Sequence, residues 1–191
     1  MLLDLRRGLV ALLALTVVVG IGYPMLVFGI GQAAFRGAAD GSPVRSRGRV
    51  VGSALIGQSF GTDPKWFWGR PSAAGAGYDP GASGASNLGS TSAELDREVR
   101  ERLDVLLKAN PGTTAAQVPA ELVTASASGL DPHISPAAAD FQVNRVARAR
   151  GLDPAEVSRL VDRHVRGRTL GIFGEPRVNV LELNLALDRL R

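Results

Sequence analysis

The polar and apolar positions of this chain divide it sharply in two. From Gly8 to Phe35 the sequence GLVALLALTVVVGIGYPMLVFGIGQAAF carries no charge between Arg7 and Arg36. A bilayer core takes about 20 mainly apolar residues in helical form, and a lone segment in lipid satisfies its backbone only as a helix. The pattern therefore predicts a tail over 1–7 and a transmembrane helix over 8–31. A secretory leader also starts with arginines and an apolar run, but its apolar core spans about 7–15 residues. Here apolarity resumes beyond Tyr23 and Pro24 to Ile30, so the run is read as a retained anchor. Pro24 lacks an amide hydrogen and crowds the preceding turn, which predicts a kink near Gly22.

Beyond the span the periodicity changes. Residues 32–48 are rich in Gly, Ser, Pro and Ala and read as a linker, leaving 49–191 as one small soluble domain. Arg49–Gly57 has the β-branched residues and glycines of a strand. Ser72–Ser90, nearly all Gly, Ala, Ser and Pro, reads as a flexible surface loop. Thr91 and Glu94 form a capping box, and Leu95, Val99, Leu103, Leu106 and Leu107 follow at helical spacing. Asp96 with Arg100, and Glu98 with Arg102, stand four apart with the acid first.

Ser135 and Pro136 open a helix that Gly151 closes; Asp153, Pro154 and Glu156 open the next. Thr169–Phe173 looks extended. Leu181, Leu183, Leu185 and Leu187 alternate like a strand, but Asn179 with Glu182 can cap, and Val180, Leu183, Leu187 and Leu190 fit a helix, so a final helix is predicted. The fold class is α+β, one N-terminal transmembrane helix followed by a single small mixed domain.

Composition narrows the chemistry. There are 22 basic and 18 acidic residues, a net +4, and aromatic residues make up only 5%. The charges are mixed along the chain, without the basic, aromatic-interleaved face of a nucleic-acid binder. With no cysteine and only His133 and His164, thiolate chemistry is excluded and a soft-ligand metal site is not expected. Arg6 and Arg7 before the span, against Arg36, Arg45, Arg47 and Arg49 after it, leave orientation open, because the charge rule weakens for long translocated domains. Trp66 and Trp68 read as buried or interfacial anchors whose indole nitrogens need polar partners.

Ser126, Ser128, Asp131 and His133 hold every residue type of a hydrolase triad within eight positions. Such roles usually come from distant segments, and no Gly-x-Ser-x-Gly elbow is present. The favoured reading is structural, with Asp131 and Ser135 bonding backbone amides around the prolines. A membrane-anchored hydrolase and a generic tethered binding module are the alternatives. No Walker lysine motif occurs, and no aspartate precedes a lysine, so the chain by itself is not expected to hydrolyse ATP.

Gly22-Tyr23-Pro24, Gly52–Phe60, Arg70–Ala73, Ser86–Gly89, Ser126–Pro136 and Val178–Asn184 together resemble the C subunit of the bacterial Kdp potassium-transporting P-type ATPase complex, in order along essentially the whole chain. The resemblance implies a non-catalytic accessory subunit of a high-affinity potassium importer. Its implied partners are a channel-like potassium-binding subunit, a P-type catalytic subunit and membrane lipid. It implies a single-pass inner-membrane protein with a cytoplasmic N-terminus and an external domain. It also implies a role in raising the ATP affinity of the catalytic subunit, with Ser83, Gly84, Ser86 and Asn87 in the loop that would contact nucleotide. ATP would then be bound at the level of the complex.

Overall fold

The computed structural model describes residues 1–190, which form two compact units, Met1–Pro43 and a second beginning at Val44. In the first, a continuous helix runs through Leu2–Ala34, 33 residues apolar enough to cross a membrane. At about 1.5 Å per residue this is roughly 50 Å, longer than a hydrocarbon core. None of its apolar side chains is buried within the protein.

The helix consists of α1 (Leu2–Leu15), a π-helical stretch (Thr16–Gly22) and α2 (Tyr23–Ala34). The π stretch lies immediately before Pro24, and the Tyr23 amide reaches back to the Val18 carbonyl. Near Gly22, where the sequence predicts a kink, the backbone widens into this π turn, which makes room for the proline ring. Residues 32–48 are also more ordered than a linker. Residues 32–34 complete α2, α3 (Arg36–Ala39) adds a turn, and β1 (Pro43–Ser46) pairs with β2 (Arg49–Ser53) in a two-stranded sheet.

The second unit gathers its helices around a small antiparallel sheet. Ser92, one residue later than expected, caps α4 (Ala93–Ala109) by accepting from the Leu95 amide. On the outer face of α4, Arg100 reaches Asp96 at 2.9 Å and Arg102 reaches Glu98 at 2.8 Å. Short 3-10 turns at Ala115–Gln117 and Ala120–Leu122 lead to β3 (His133–Ile134). The hairpin of α5 (Pro136–Arg150) and α6 (Pro154–His164) then forms as its caps dictate. Ser135 accepts from the Ala138 amide, Gly151 adopts left-handed backbone at φ 68°, and Asp153 caps α6.

β4 (Val165–Arg166) and β5 (Arg177–Asn179) complete a sheet ordered β3-β5-β4, with Ile134 and Val165 both opposite Val178. Asn179 caps α7 (Val180–Leu187) through the Glu182 amide. That contact decides for helix where the leucine alternation alone was ambiguous. Phe67, Val146, Val157, Val161, Val178, Leu183 and Leu187 are fully buried and form the heart of the core.

Between β2 and α4 lie about forty residues without a regular element, and side chains of the helices replace a ladder there. The Gln142 carboxamide bonds both backbone groups of Trp68. Arg145, also buried, lies over the Trp68 ring at 4.0 Å and donates to the Pro64 and Trp66 carbonyls at 2.8 and 3.0 Å. Trp68 gives its indole N–H to the Asp63 carbonyl at 2.9 Å, the polar partner its sequence position required. Burial pushes the Arg145 guanidinium down to about 10, only partly offset by the charge of Asp63.

Candidate functional site

The residues that drew attention in the sequence converge on one elbow, 126–136, and its surroundings. Gly129 makes its turn with φ 66°, where an added Cβ would come within 2.7 Å of the Ala74 nitrogen and the Gly84 oxygen. The elbow is therefore packed on its neighbours at backbone-to-backbone distance, which only glycine permits. The Ser72 hydroxyl donates to the Gly129 carbonyl at 2.5 Å and accepts from the Tyr78 amide at 2.7 Å. Tyr78 in turn donates its hydroxyl to the Arg70 carbonyl. From the other side the Gly57 amide donates to the Leu130 carbonyl at 2.8 Å, and the Val180 amide to the Pro132 carbonyl at 3.0 Å.

These bonds correct the expectation of flexibility for the first part of the surface loop Ser72–Ser90, up to Gly84. Ala74 within it is fully buried, and serine hydroxyls fix the segment to the elbow. Its small residues are what allow so close an approach.

The polar centre of the elbow is Asp131. Its Oδ1 accepts from the His133 amide at 3.0 Å and lies 3.6 Å from His133 Nδ1, and its Oδ2 faces Arg70 Nη1 at 3.4 Å. Burial pushes the Asp131 carboxyl up, but the nearby His133 ring, the hydrogen bond from the His133 amide and the Arg70 charge outweigh it and leave the group below its ordinary value. Tyr78 is raised by burial and by the Asp131 charge, against the opposing effect of Arg70.

The hydrolase arrangement does not form. The Ser128 hydroxyl accepts from the Leu130 amide at 3.1 Å, and Ser126 is buried with its amide donating to the Pro71 carbonyl at 3.2 Å. His133 is directed to Asp131, and among the described residues no serine is hydrogen-bonded to its imidazole. A nucleophile needs that base within hydrogen-bond reach. Ser135, near the end of the elbow, is held by its own amide and hydroxyl to Glu121. His164, half-buried, bonds the Leu160 carbonyl at 2.8 Å through Nδ1.

The four residues of the candidate nucleotide loop divide into pairs. The Ser83 hydroxyl and the Gly84 amide both donate to the Ser128 carbonyl at 2.9 Å, so these two straps tie the loop to the elbow. Ser86 and Asn87 are exposed, Asn87 in left-handed backbone at φ 52°. A cavity of about 340 Å³ opens beside Arg70, lined by Phe60, Trp68, Tyr78, Val105 and Leu106 among others. The sequence did not reveal this cavity, because its walls come from three distant segments. Nor did it single out Gln142 and Arg145, although polar residues inside the apolar face of a capped helix were the visible sign.

The arrangement is a tightly cross-braced scaffold, and known proteins share it in sequence. The family described as K+-transporting ATPase, c chain, matches residues 5–189. A potassium-transporting ATPase KdpC subunit from Sorangium cellulosum is 59% identical over 192 residues, covering 100% of both chains. The proteins of that name from Methylococcus capsulatus and Nitratidesulfovibrio vulgaris are 54% and 56% identical, the first over 97% of each chain, the second over 100% of this chain and 96% of its own.

Proposed function

This chain belongs to the K+-transporting ATPase c-chain family, the non-catalytic accessory subunits of that pump, and from that membership we propose how it serves the complex. It is anchored in the inner membrane by Leu2–Ala34, with its N-terminus in the cytoplasm and the domain from Val44 onward on the outer face. There it assembles with a channel-like potassium-binding subunit and a P-type catalytic subunit and stabilises them as a unit.

The observation that carries this reading is the pairing of a bare apolar helix with a domain whose polar side chains are spent on its own backbone. Asp131, Ser72, Ser135, Gln142 and Asn184 each hold main-chain groups, as in a scaffold built to keep a shape. Raising the ATP affinity of the catalytic subunit fits this position as an effect transmitted through assembly. Direct nucleotide contact at Ser83, Gly84, Ser86 and Asn87 would require the loop on the cytoplasmic side and the release of two straps to Ser128.

The test is to purify the pump with and without this chain. Potassium-stimulated ATP hydrolysis should fall when the chain is absent and return when it is restored. Hydrolysis that is unchanged without it defeats the reading.

A further inference from the structure

Between β4 and β5 the chain projects a tip, Thr169–Phe173, whose three large side chains all point away from the domain. Leu170, Ile172 and Phe173 are 84%, 70% and 61% exposed, three neighbouring large apolar residues within four positions. The tip is nonetheless rigidly made. The Thr169 amide donates to the Phe173 carbonyl at 2.8 Å and the Phe173 amide to the Thr169 carbonyl at 2.9 Å, and the Gly171 amide closes on the Arg168 carbonyl at 3.1 Å. Leu170 sits in left-handed backbone at φ 54°, a conformation that a branched side chain adopts only at a cost. The expectation of an extended segment here is thus replaced by a closed turn that displays its apolar side chains.

We infer that this tip is a preformed plug that seats in an apolar socket on another subunit of the same ATPase complex, outside the bilayer. The inference rests on the subunit reading above and names a surface for it. An apolar tip fits either a protein socket or a lipid surface, and the charges beside it favour the socket. Insertion into anionic lipid relies on spare cations at the headgroup level. Here Arg168 is clasped by both oxygens of Glu175 at 2.8 Å, and Arg166 meets Glu182 at 2.6 Å. Two of the three arginines on the hairpin arms are therefore paired with carboxylates, which leaves Arg177 as the single spare cation there, too little charge to hold the tip on anionic lipid. A charge-balanced collar around a rigid apolar centre is the anatomy of a protein interface, with a polar rim around a central anchor. Fixing the tip before contact reduces the ordering cost of binding.

The experiment uses the whole complex, solubilised and purified through another subunit. A benzophenone side chain replaces Leu170 or Phe173, with Ala155, exposed at the start of α6, as the control position. Crosslinks from 170 and 173 to another subunit, and none from 155, are expected. Phe173→Asp and Leu170→Asp should each reduce recovery of this chain with the complex by about tenfold or more. Their thermal unfolding should match that of the unaltered chain, because both side chains are exposed and, at 170, aspartate tolerates left-handed backbone better than leucine. Crosslinks to lipid alone would overturn the proposal in favour of membrane insertion, and undiminished recovery without protein crosslinks would overturn it outright. If the unaltered chain is itself not recovered with the complex, the subunit reading falls as well, an outcome distinct from failure of the tip.

Discussion

Asn184 holds both backbone groups of Phe67, a residue 117 positions earlier in the chain: its Oδ1 accepts from the Phe67 amide at 2.9 Å and its Nδ2 donates to the Phe67 carbonyl at 2.9 Å. Both residues are buried, so one carboxamide on α7 stands in for a missing neighbouring strand. Asn184→Leu would keep the branched shape, with bulkier methyl groups, and strand both main-chain groups without water. Each such orphan costs about 1–3 kcal/mol. The variant is expected to lose about 3 kcal/mol, read as a lower denaturant midpoint for the full chain in detergent, and an unchanged midpoint would refute the clasp.

Gly129→Ala tests the elbow. The new Cβ would meet the main chain at Ala74 and Gly84 within 2.7 Å and would have to be carried at φ 66°. Neither contact is with a flexible side chain that can yield, so a loss of about 2–4 kcal/mol is expected. Gly151→Ala makes the control, since its φ is similar at 68° but nothing lies within 4 Å of its Cβ. It should cost only about 1 kcal/mol, and equal losses at the two positions would show that the elbow is not tightly packed.

The Asp131 carboxyl gives stability a pH signature. Its folded value lies below the ordinary one, so its contribution is fully present above the unfolded value of about 3.9 and is lost as pH falls through the folded value. Asp131→Asn should therefore cost about 1 kcal/mol at pH 7, and the difference from the unaltered chain should shrink below about pH 4. Thermal unfolding followed from pH 7 to pH 3 checks this; a gap that persists at pH 3 would assign the cost to something other than charge.

Orientation is open to direct chemistry because the chain has no cysteine. Ala38→Cys places a thiol at an exposed position just after the membrane helix. In intact cells it should react with a membrane-impermeant maleimide added outside, and should be protected from one confined to the cytoplasmic side of inverted vesicles. The reverse pattern would put the domain in the cytoplasm and bring Ser86 and Asn87 within reach of ATP.

The sequence alone determined what depends on neighbours along the chain. Uninterrupted apolarity specified the membrane helix, because lipid demands it of every side chain in the span. Ser135, Gly151, Asp153 and Asn179 specified the ends of α5, α6 and α7, because a cap acts within three or four residues. The elbow's turn chemistry at Asp131 and Ser135 was legible for the same reason. Only the tertiary structure decided how Gly57, Ser72, Ser83 and Gly84 bind the elbow, how Gln142 and Asn184 replace a strand for Trp68 and Phe67, and that Thr169–Phe173 turns outward. Apart from that local turn, those outcomes join groups from 40 to more than 100 residues apart, and nothing in a local pattern of polar and apolar positions records which distant carbonyl a side chain will meet.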